Sequence, residues 1–415
     1  MTLQHPSRRM FLQSSAIGLG AGALGGRAFA QGAALGSGGT PPGPDLPPHA
    51  VGRPQPEING PSPRPAPPAR RVGWAVCGLG HFAQNYGIPS IVEGIDSKLT
   101  GLISGSPDKL ATVGESWGVP DEGRFGYDMA GLAEDDEIEV VYVVTPNAVH
   151  EENVLAALGA GKHVICEKPF ATTPEACQRM IDAATAADRK LMVAYRAHFE
   201  PHNVRLKEMI DAGELGRIDF ATSDHHRPLD PSVTHDEWRM QRDVAGGGSL
   251  FDIGIYSLNG LIWFLGEVPK RLVAQTYAPE YDDNRFAEVE AICNVLLEFP
   301  SGARAQISSG YIADKKRIDV WGADAVAVLD PATSYQGNTL TVSRAEGPQQ
   351  INTDMPSEQQ FIGEFDHFSR AVRDGEEIRT PGEMGLRDVR LIQAIYASAE
   401  RGAWVDVNED GSMAG

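Results

Sequence analysis

From Val72 onward, short apolar runs alternate with amphipathic stretches. VGWAVC (72–77), KLTGLIS (98–104), VVYVVTP (140–146), HVICEKP (163–169) and KLMVAYR (190–196) are apolar runs of strand length. Between them, AQNYGIPSIVEG (83–94), DKLATVGESWG (108–118), MAGLAEDDE (129–137), VHEENVLAALGAG (149–161) and TPEACQRMIDAATAAD (173–188) read as helices. Strands alternating with helices predict a parallel sheet with helices on both faces. After Gly216 the pattern changes. RIDFATSD, RLVAQTYA, EVEAICNVLLEF, ARAQISSG, RIDVWG, AVAVLD and LTVS accumulate as strand-like runs. The expected fold class is α/β plus α+β, with domains at 70–195 and 196–405.

The chain ahead of Arg70 follows another logic. Residues 1–30 have a basic start at Arg8 and Arg9, a Gly- and Ala-rich apolar core, and a small-x-small site at Ala28-Phe29-Ala30. That order is an export signal, and the arginine pair before Phe11-Leu12 marks the twin-arginine type. The expected location is the periplasm, reached in the folded state through the twin-arginine machinery. Residues 31–69 form a proline-rich arm, with twelve prolines between 41 and 68. It reads as extended and polyproline-like, either a spacer or an arm lying along another subunit. The formal charge of −20 becomes −23 without residues 1–30, which hold three arginines and no acid. This argues against nucleic acid as a partner. Beyond the leader no apolar run approaches the length of a membrane span, so no stable membrane association is expected. Cys77, Cys166, Cys177 and Cys293 fit neither a disulfide scaffold nor a metal site. Cys77 and Cys166 end apolar runs and read as buried thiols.

Candidate chemistry sits at the ends of the apolar runs. Gly78-Leu79-Gly80-His81-Phe82-Ala83 is G-x-G-x-x-A between a strand and a helix. There Gly78 makes the tight turn, Gly80 admits a pyrophosphate, and the helix start stabilises its charge. The second strand ends at Ser104 with Lys109 nearby, where an NAD-binding chain places an acid for the ribose. Ser104 can bond a 2′-phosphate and Lys109 can neutralise it, which favours NADP; the plain alternative is a solvated helix lysine. Three more clusters fall at strand ends: Thr145-Pro146-Asn147 with His150, Glu167-Lys168-Pro169, and Tyr195-Arg196. GGGSLFDIGIYSLNG (246–260) opens an apolar helix with Asp252 and Tyr256 on one face at i, i+4. Taken without Lys168, that pair reads as a helix N-terminal acid and a core tyrosine.

CEKP and GGGSLFDIGIY together resemble the oxidoreductase family typified by glucose–fructose oxidoreductase, inositol dehydrogenase and rhizopine catabolism proteins (Gfo/Idh/MocA). RRVGWAVCGLGHFA, GKHVICEKPFAT, CQRMIDAA, LMVAYRAHFEP, EWRMQR, DPATSYQ and RDVRLIQAIY extend the likeness from about Arg70 to Trp404, and toward the glucose–fructose branch. The resemblance implies a Rossmann domain followed by a domain built on a large open, mostly antiparallel sheet. It implies catalytic Lys168, Asp252 and Tyr256, and a sugar met by Lys168, Tyr195, Asp252 and Tyr256. Cofactor contacts would come from Gly78, Leu79, Gly80, His81, Phe82, Ser104, Lys109 and Tyr127. Thr145, Pro146, Asn147, His150, Glu167, Lys168, Arg196, Trp238, Arg239 and Tyr335 would complete the set. No metal is implied.

The implied activity is a periplasmic ping-pong cycle on a tightly bound, non-dissociating NADP. An aldose such as glucose is oxidised to its lactone, then a second sugar is reduced, fructose to sorbitol or another aldose to its alditol. Tyr256 would be general base and then acid, with its pKa lowered by Lys168, while Asp252 orients sugar hydroxyls. A trapped cofactor loaded before export reconciles the leader with the dinucleotide motif. The arm would embrace a neighbour in a homodimer or homotetramer. Two rival readings are a conventional sugar dehydrogenase using diffusible NADP and a non-catalytic sugar-sensing protein on the same fold. SDHHRPLDPSVTHDEW (223–238) departs most from the family pattern, and its His225 and His226 read as solvated loop histidines.

Overall fold

The structure is a computed structural model that describes residues 70–414. The expected leader (1–30) and proline-rich arm (31–69) lie outside the described residues. The first sheet contains β1 (Val72–Cys77), β2 (Ser97–Ile103), β3 (Arg124–Phe125), β4 (Val140–Val143), β5 (His163–Glu167) and β6 (Leu191–Ala194). Their order is β3-β2-β1-β4-β5-β6 and every pairing is parallel. Strands β1 and β4 are buried at every residue, as a doubly covered sheet requires. The chain reverses its direction of sheet growth between β1 and β4. Ligands bind at such a switch point, outside the carboxyl ends of the strands.

Local chemistry explains the helix boundaries. Ser106 accepts the Lys109 N–H at the start of helix Pro107–Trp117, and Gly118 ends it in the left-handed region at φ 70°. Thr173 caps helix Pro174–Ala186 in the same way. Two expected helices differ. The stretch 83–94 is a wide π-turn at Ala83–Gly87 that tightens into helix Ile88–Glu93. Pro89 offers no N–H to the turn before it, and its ring crowds the carbonyl four residues back, so that turn widens. The stretch 129–137 holds only a 3-10 turn at Leu132–Glu134, after Gly131 at φ 83°. Four consecutive acids at 134–137 would oppose a helix C-terminus there.

The second sheet has nine strands: β7 (Ile218–His226), β8 (Arg271–Tyr277), β9 (Ile292–Glu298), β10 (Arg304–Gly310), β11 (Lys315–Gly322), β12 (Val326–Leu329), β13 (Leu340–Arg344), β14 (Gly347–Ile351) and β15 (Val405–Asp406). The order is β14-β13-β12-β11-β7-β10-β9-β8-β15, antiparallel throughout except between β7 and β10. This is the expected open, mostly antiparallel sheet. Arg242–Leu265 is long and apolar enough to cross a membrane, which a count of uninterrupted apolar runs missed. It is a core segment: Leu250, Ile255, Leu258 and Leu261 are wholly buried.

A helix from the second half of the chain packs on the first sheet. Helix Gln359–Asp374, late in the chain, lays Phe361, Phe365 and Phe368 against Val72, Trp74 and Val76 of β1. Phe365 meets Trp74 edge-on at 5.3 Å and Tyr142 at 5.0 Å. The Trp74 indole N–H donates to Ser369 Oγ at 3.0 Å. Asp366 accepts the backbone N–H groups of Ile95 and Asp96 at 3.0 and 2.9 Å, which fixes the entry to β2. Phe365→Ala is therefore expected to lower stability by about 3–5 kcal/mol. The check is the denaturant midpoint of the two proteins; an unchanged midpoint would contradict this packing role.

Candidate active site

The end of β1 forms a backbone cradle. Gly78 has φ 103°, and a Cβ there would lie 2.9 Å from the Val144 carbonyl oxygen and from Thr145 Cγ2. A Cβ on Gly80 would meet no protein atom within 4 Å. Gly78 thus answers to the fold, while Gly80 answers to the open space beside it. Leu79 is buried, so it offers only backbone to a ligand. At the end of β2, the Ser104 hydroxyl accepts the Ser106 N–H at 3.2 Å, and Tyr127 packs over Gly105. Lys109 is exposed and has no ion pair among the described residues. An open backbone cradle followed by an unpaired cation at the next strand end fits a phosphate-bearing dinucleotide.

The other predicted contacts divide. Phe82 packs with Tyr86, Phe361 and Tyr335, so the wall beside the cradle is aromatic. His81 is exposed and stacks on His235 with ring centres 4.5 Å apart. Pro146 is exposed at the end of β4, and the Asn147 amide donates to the Ala245 carbonyl at 2.8 Å. Thr145 accepts from Asn153 at 3.3 Å. His150 is different: it is fully buried, between the Thr145 carbonyl at 2.9 Å and the Pro169 carbonyl at 3.0 Å. Both ring nitrogens face backbone oxygens, so His150 ties two strand-end loops together and presents no atom to a ligand.

The second half of the site forms around Lys168. β5 ends at Glu167, whose carboxylate accepts the Tyr142 hydroxyl at 2.6 Å. Burial raises the pKa of Glu167. Lys168 follows, and its ammonium donates to the Asp252 carbonyl at 2.7 Å and lies 3.6 Å from Asp252 Oδ1. The same ammonium sits 4.7 Å from the centre of the Tyr256 ring. Asp252 Oδ2 accepts the Tyr311 hydroxyl at 3.0 Å and Arg239 Nε at 3.1 Å. Burial opposes ionisation of Asp252, but Arg239, Lys168 and Arg227 together hold its pKa well below the usual carboxylate range. Trp238 lies under the Arg239 guanidinium at 4.4 Å.

Tyr256 lies in a cationic and aromatic box. The Arg196 guanidinium is 4.6 Å from its ring and 4.5 Å from that of Tyr335. Arg196 is held by Gln360 Oε1 at 2.5 Å and the Thr333 carbonyl at 2.8 Å. His225 stacks on Tyr256 at 5.0 Å, with its Nδ1 2.7 Å from Thr333 Oγ1. Three expectations change here. His225 is no solvated loop residue; it is 3% exposed on β7, where the buried positions Ala221, Ser223 and His225 alternate inward. The Tyr256 pKa is not lowered as expected from Lys168, whose ammonium lies over the ring. Burial dominates and pushes Tyr256 up to about 12, with Arg196 as the leading opposing charge. Tyr195 is turned into the core, where its hydroxyl donates to Asp388 Oδ2 at 2.6 Å; buried there, it is not available to a sugar.

The family models match both halves of the chain. An oxidoreductase family with an NAD-binding Rossmann fold covers residues 72–195. Its C-terminal alpha/beta domain covers 207–407. The chain belongs to this Gfo/Idh/MocA oxidoreductase family. Among solved structures, it is similar to an aldose-aldose oxidoreductase from Caulobacter crescentus complexed with glycerol. The identity is 39%, the TM-score is 0.78, and the match covers 81% of this chain and 100% of that one. Among curated proteins, a D-xylose 1-dehydrogenase [NADP(+)] from Haloarcula marismortui is 29% identical over 332 residues, 79% of this chain and 91% of that protein. A 1,5-anhydro-D-fructose reductase from Ensifer adhaerens is 28% identical over 80% of this chain and 98% of that protein.

In this Gfo/Idh/MocA chain the residues that sequence reasoning missed are His225, Arg227, Asp236, Tyr311, Thr333 and Gln360. Only His225 left a signal, the inward alternation of its strand. The others meet the site through loops and a distant helix. The two motif glycines allow a clean separation of fold from binding. Gly78→Ala strains a left-handed position against backbone and is expected to cost about 1–3 kcal/mol of stability. Gly80→Ala is expected to leave stability within about 0.5 kcal/mol, as for a change that meets no neighbour, and to weaken dinucleotide binding. Thermal melts and cofactor titrations of both variants check this; equal effects on melting would contradict it.

Proposed function

We propose that this protein is an NADP-dependent sugar oxidoreductase that oxidises an aldose to its lactone and reduces a second sugar on the same cofactor. The observation that carries the reading is the meeting of Lys168, Asp252 and Tyr256 beside the strand-end cradle. The similarity to the aldose-aldose oxidoreductase supports the second half of the cycle. The backbone around Gly78 and Gly80 would hold the pyrophosphate, and Ser104 and Lys109 the 2′-phosphate. Bound there, NADP supplies the two-electron acceptor and donor.

The chain's own groups do the rest. Lys168 holds the Asp252 backbone and places positive charge beside the Asp252 carboxylate and the Tyr256 ring. Asp252 stays ionised and accepts sugar hydroxyls. Tyr256, buried and with a pKa near 12, is protonated at neutral pH and is ready to donate in the reduction. In the oxidation it must first lose that proton, and the Arg196 charge favours the anion. Oxidation is therefore expected to accelerate with pH across about 6 to 9, while reduction stays flat. Pre-steady-state kinetics of the two half-reactions check the sign. Tyr256→Phe is expected to slow both by about 10²–10⁴.

The leader supports export of folded protein to the periplasm with its cofactor already in place. The exposed faces of Tyr277 on β8 and Leu296 on β9 support a homo-oligomer formed through the open sheet. A second reading, a dehydrogenase that exchanges NADP with solvent, is favoured by the NADP-dependent D-xylose dehydrogenase. Near-ultraviolet absorbance of desalted protein separates the two. A reduced-nicotinamide band that appears with glucose and disappears with a second sugar is expected for trapped cofactor. A band that requires added NADP would overturn the trapped form. Lys109→Ala is expected to weaken NADP about tenfold or more while sparing NAD, from loss of a charge-assisted bond. Equilibrium titration with both nucleotides reads this directly.

A further inference from the structure

The segment least like the family's pattern, 223–238, builds a second layer around Asp252. Arg227, just beyond β7, makes a two-pronged pair with Asp236, Nη2 to Oδ1 at 2.8 Å and Nη1 to Oδ2 at 3.1 Å. Asp236 is 4% exposed and also lies 3.4 Å from Arg239 Nη1. Both arginines then converge on one oxygen. Arg239 Nε is 3.1 Å and Arg227 Nη2 is 3.5 Å from Asp252 Oδ2. Tyr311, just beyond β10, donates to the same oxygen at 3.0 Å. Among the described residues Oδ1 accepts no hydrogen bond, and the Lys168 ammonium lies 3.6 Å away, beyond that range. One carboxylate oxygen is thus saturated and the other keeps free lone pairs.

We propose that Arg227 and Asp236 are positioning residues: with Arg239 and Tyr311 they clamp Asp252 Oδ2, so that Oδ1 is the oxygen that accepts the sugar hydroxyl. The proposal rests on the reading of Asp252 as the sugar-binding carboxylate. Asp236 is the keystone, because it braces both arginines at once. Without its charge the two guanidiniums repel each other and lose their fixed geometry. The groups that face Asp252 are Lys168 after β5, Arg227 after β7, Arg239 and Asp236 from the 234–240 turns, Tyr311 after β10, Tyr256 one turn along its helix, and His225 on β7. The cations outnumber the acids, so Asp252 stays ionised in either case, and loosening the clamp changes the aim of its carboxylate instead of its charge.

The test is Asp236→Asn in the full chain with its cofactor. The expected result is a fall in kcat of about tenfold or more for the sugar half-reaction, as for a reacting group displaced by a fraction of an ångström. Asp236→Glu, which can still reach both arginines, restores part of the rate. Arg227→Lys, which keeps charge but not the fork, shows a smaller fall in rate and serves where Asp236→Asn does not fold. A folded Asp236→Asn protein with unchanged sugar kinetics overturns the clamp. Should the unaltered enzyme react with no sugar, the reading of the site fails, and the clamp is decided separately. Carbon-13 NMR of aspartate-labelled protein at neutral pH then follows the Asp252 carboxyl: a resonance moved in Asp236→Asn supports the clamp, and an unmoved one overturns it.

Discussion

Lys168 carries a positive charge into the seam between the two sheets, and its side chain there is only 10% exposed. A buried ammonium costs several kcal/mol unless it is paired and hydrogen-bonded. β5 fixes its position, because a strand buried on both faces between two parallel neighbours cannot shift its end. The partner must therefore come to the lysine. It comes from the other half of the chain, as the carbonyl and carboxylate of Asp252. That carboxylate is buried too, and it draws in Arg227, Arg239 and Tyr311. The charges around Asp252 answer one another, and the sequence of contacts ends at Asp236, itself buried in the 227–239 segment.

The same seam is sealed by helix Gln359–Asp374. One face of that helix covers β1 with Phe365 and Phe368, and its first turn reaches the site with Gln360 and Phe361. Gln360 holds Arg196, and Arg196 lies over Tyr256 and Tyr335. The packing of the first sheet and the electrostatics around Tyr256 are therefore set by one element. A shift of this helix would loosen the core and move the Arg196 charge together.

The periodic parts of the fold were legible from pattern alone. Five of the six parallel strands are continuous apolar runs, and strand ends marked Gly78, Ser104, Lys168 and Arg196. β3, β14 and β15 were not, since Arg124–Phe125 and Val405–Asp406 are two residues long and GPQQI is polar. The site divided along the same line. Lys168, Asp252 and Tyr256 sit in long motifs, but Arg227, Asp236 and Tyr311 sit in irregular segments whose partners are fixed only by tertiary contact. Tyr195 misled for a physical reason. It follows β6 at the correct edge, yet the open side of Asp388 satisfies its hydroxyl in the core. Burial also reversed the expected effect on Tyr256, because desolvation outweighs the charge of the neighbouring Arg196.

That reversal bears on how one pocket can serve two opposite half-reactions under the proposed reading. A tyrosine with a pKa near 7 would lose its proton easily and hold it poorly. Tyr256 does the opposite: once its resting proton has gone to solvent, it takes the proton of the first sugar and holds it until the second sugar needs it. Asp252 cannot compete for that proton, since Arg239, Lys168 and Arg227 hold it ionised. Nor can His225, whose burial beside Arg196 and Lys168 keeps it neutral. The acid and the base are separated by environment, the carboxylate pushed down and the phenol pushed up. Of Asp252, His225 and Tyr256, the phenol is then the group that carries the proton, at the oxygen where the sugar would react.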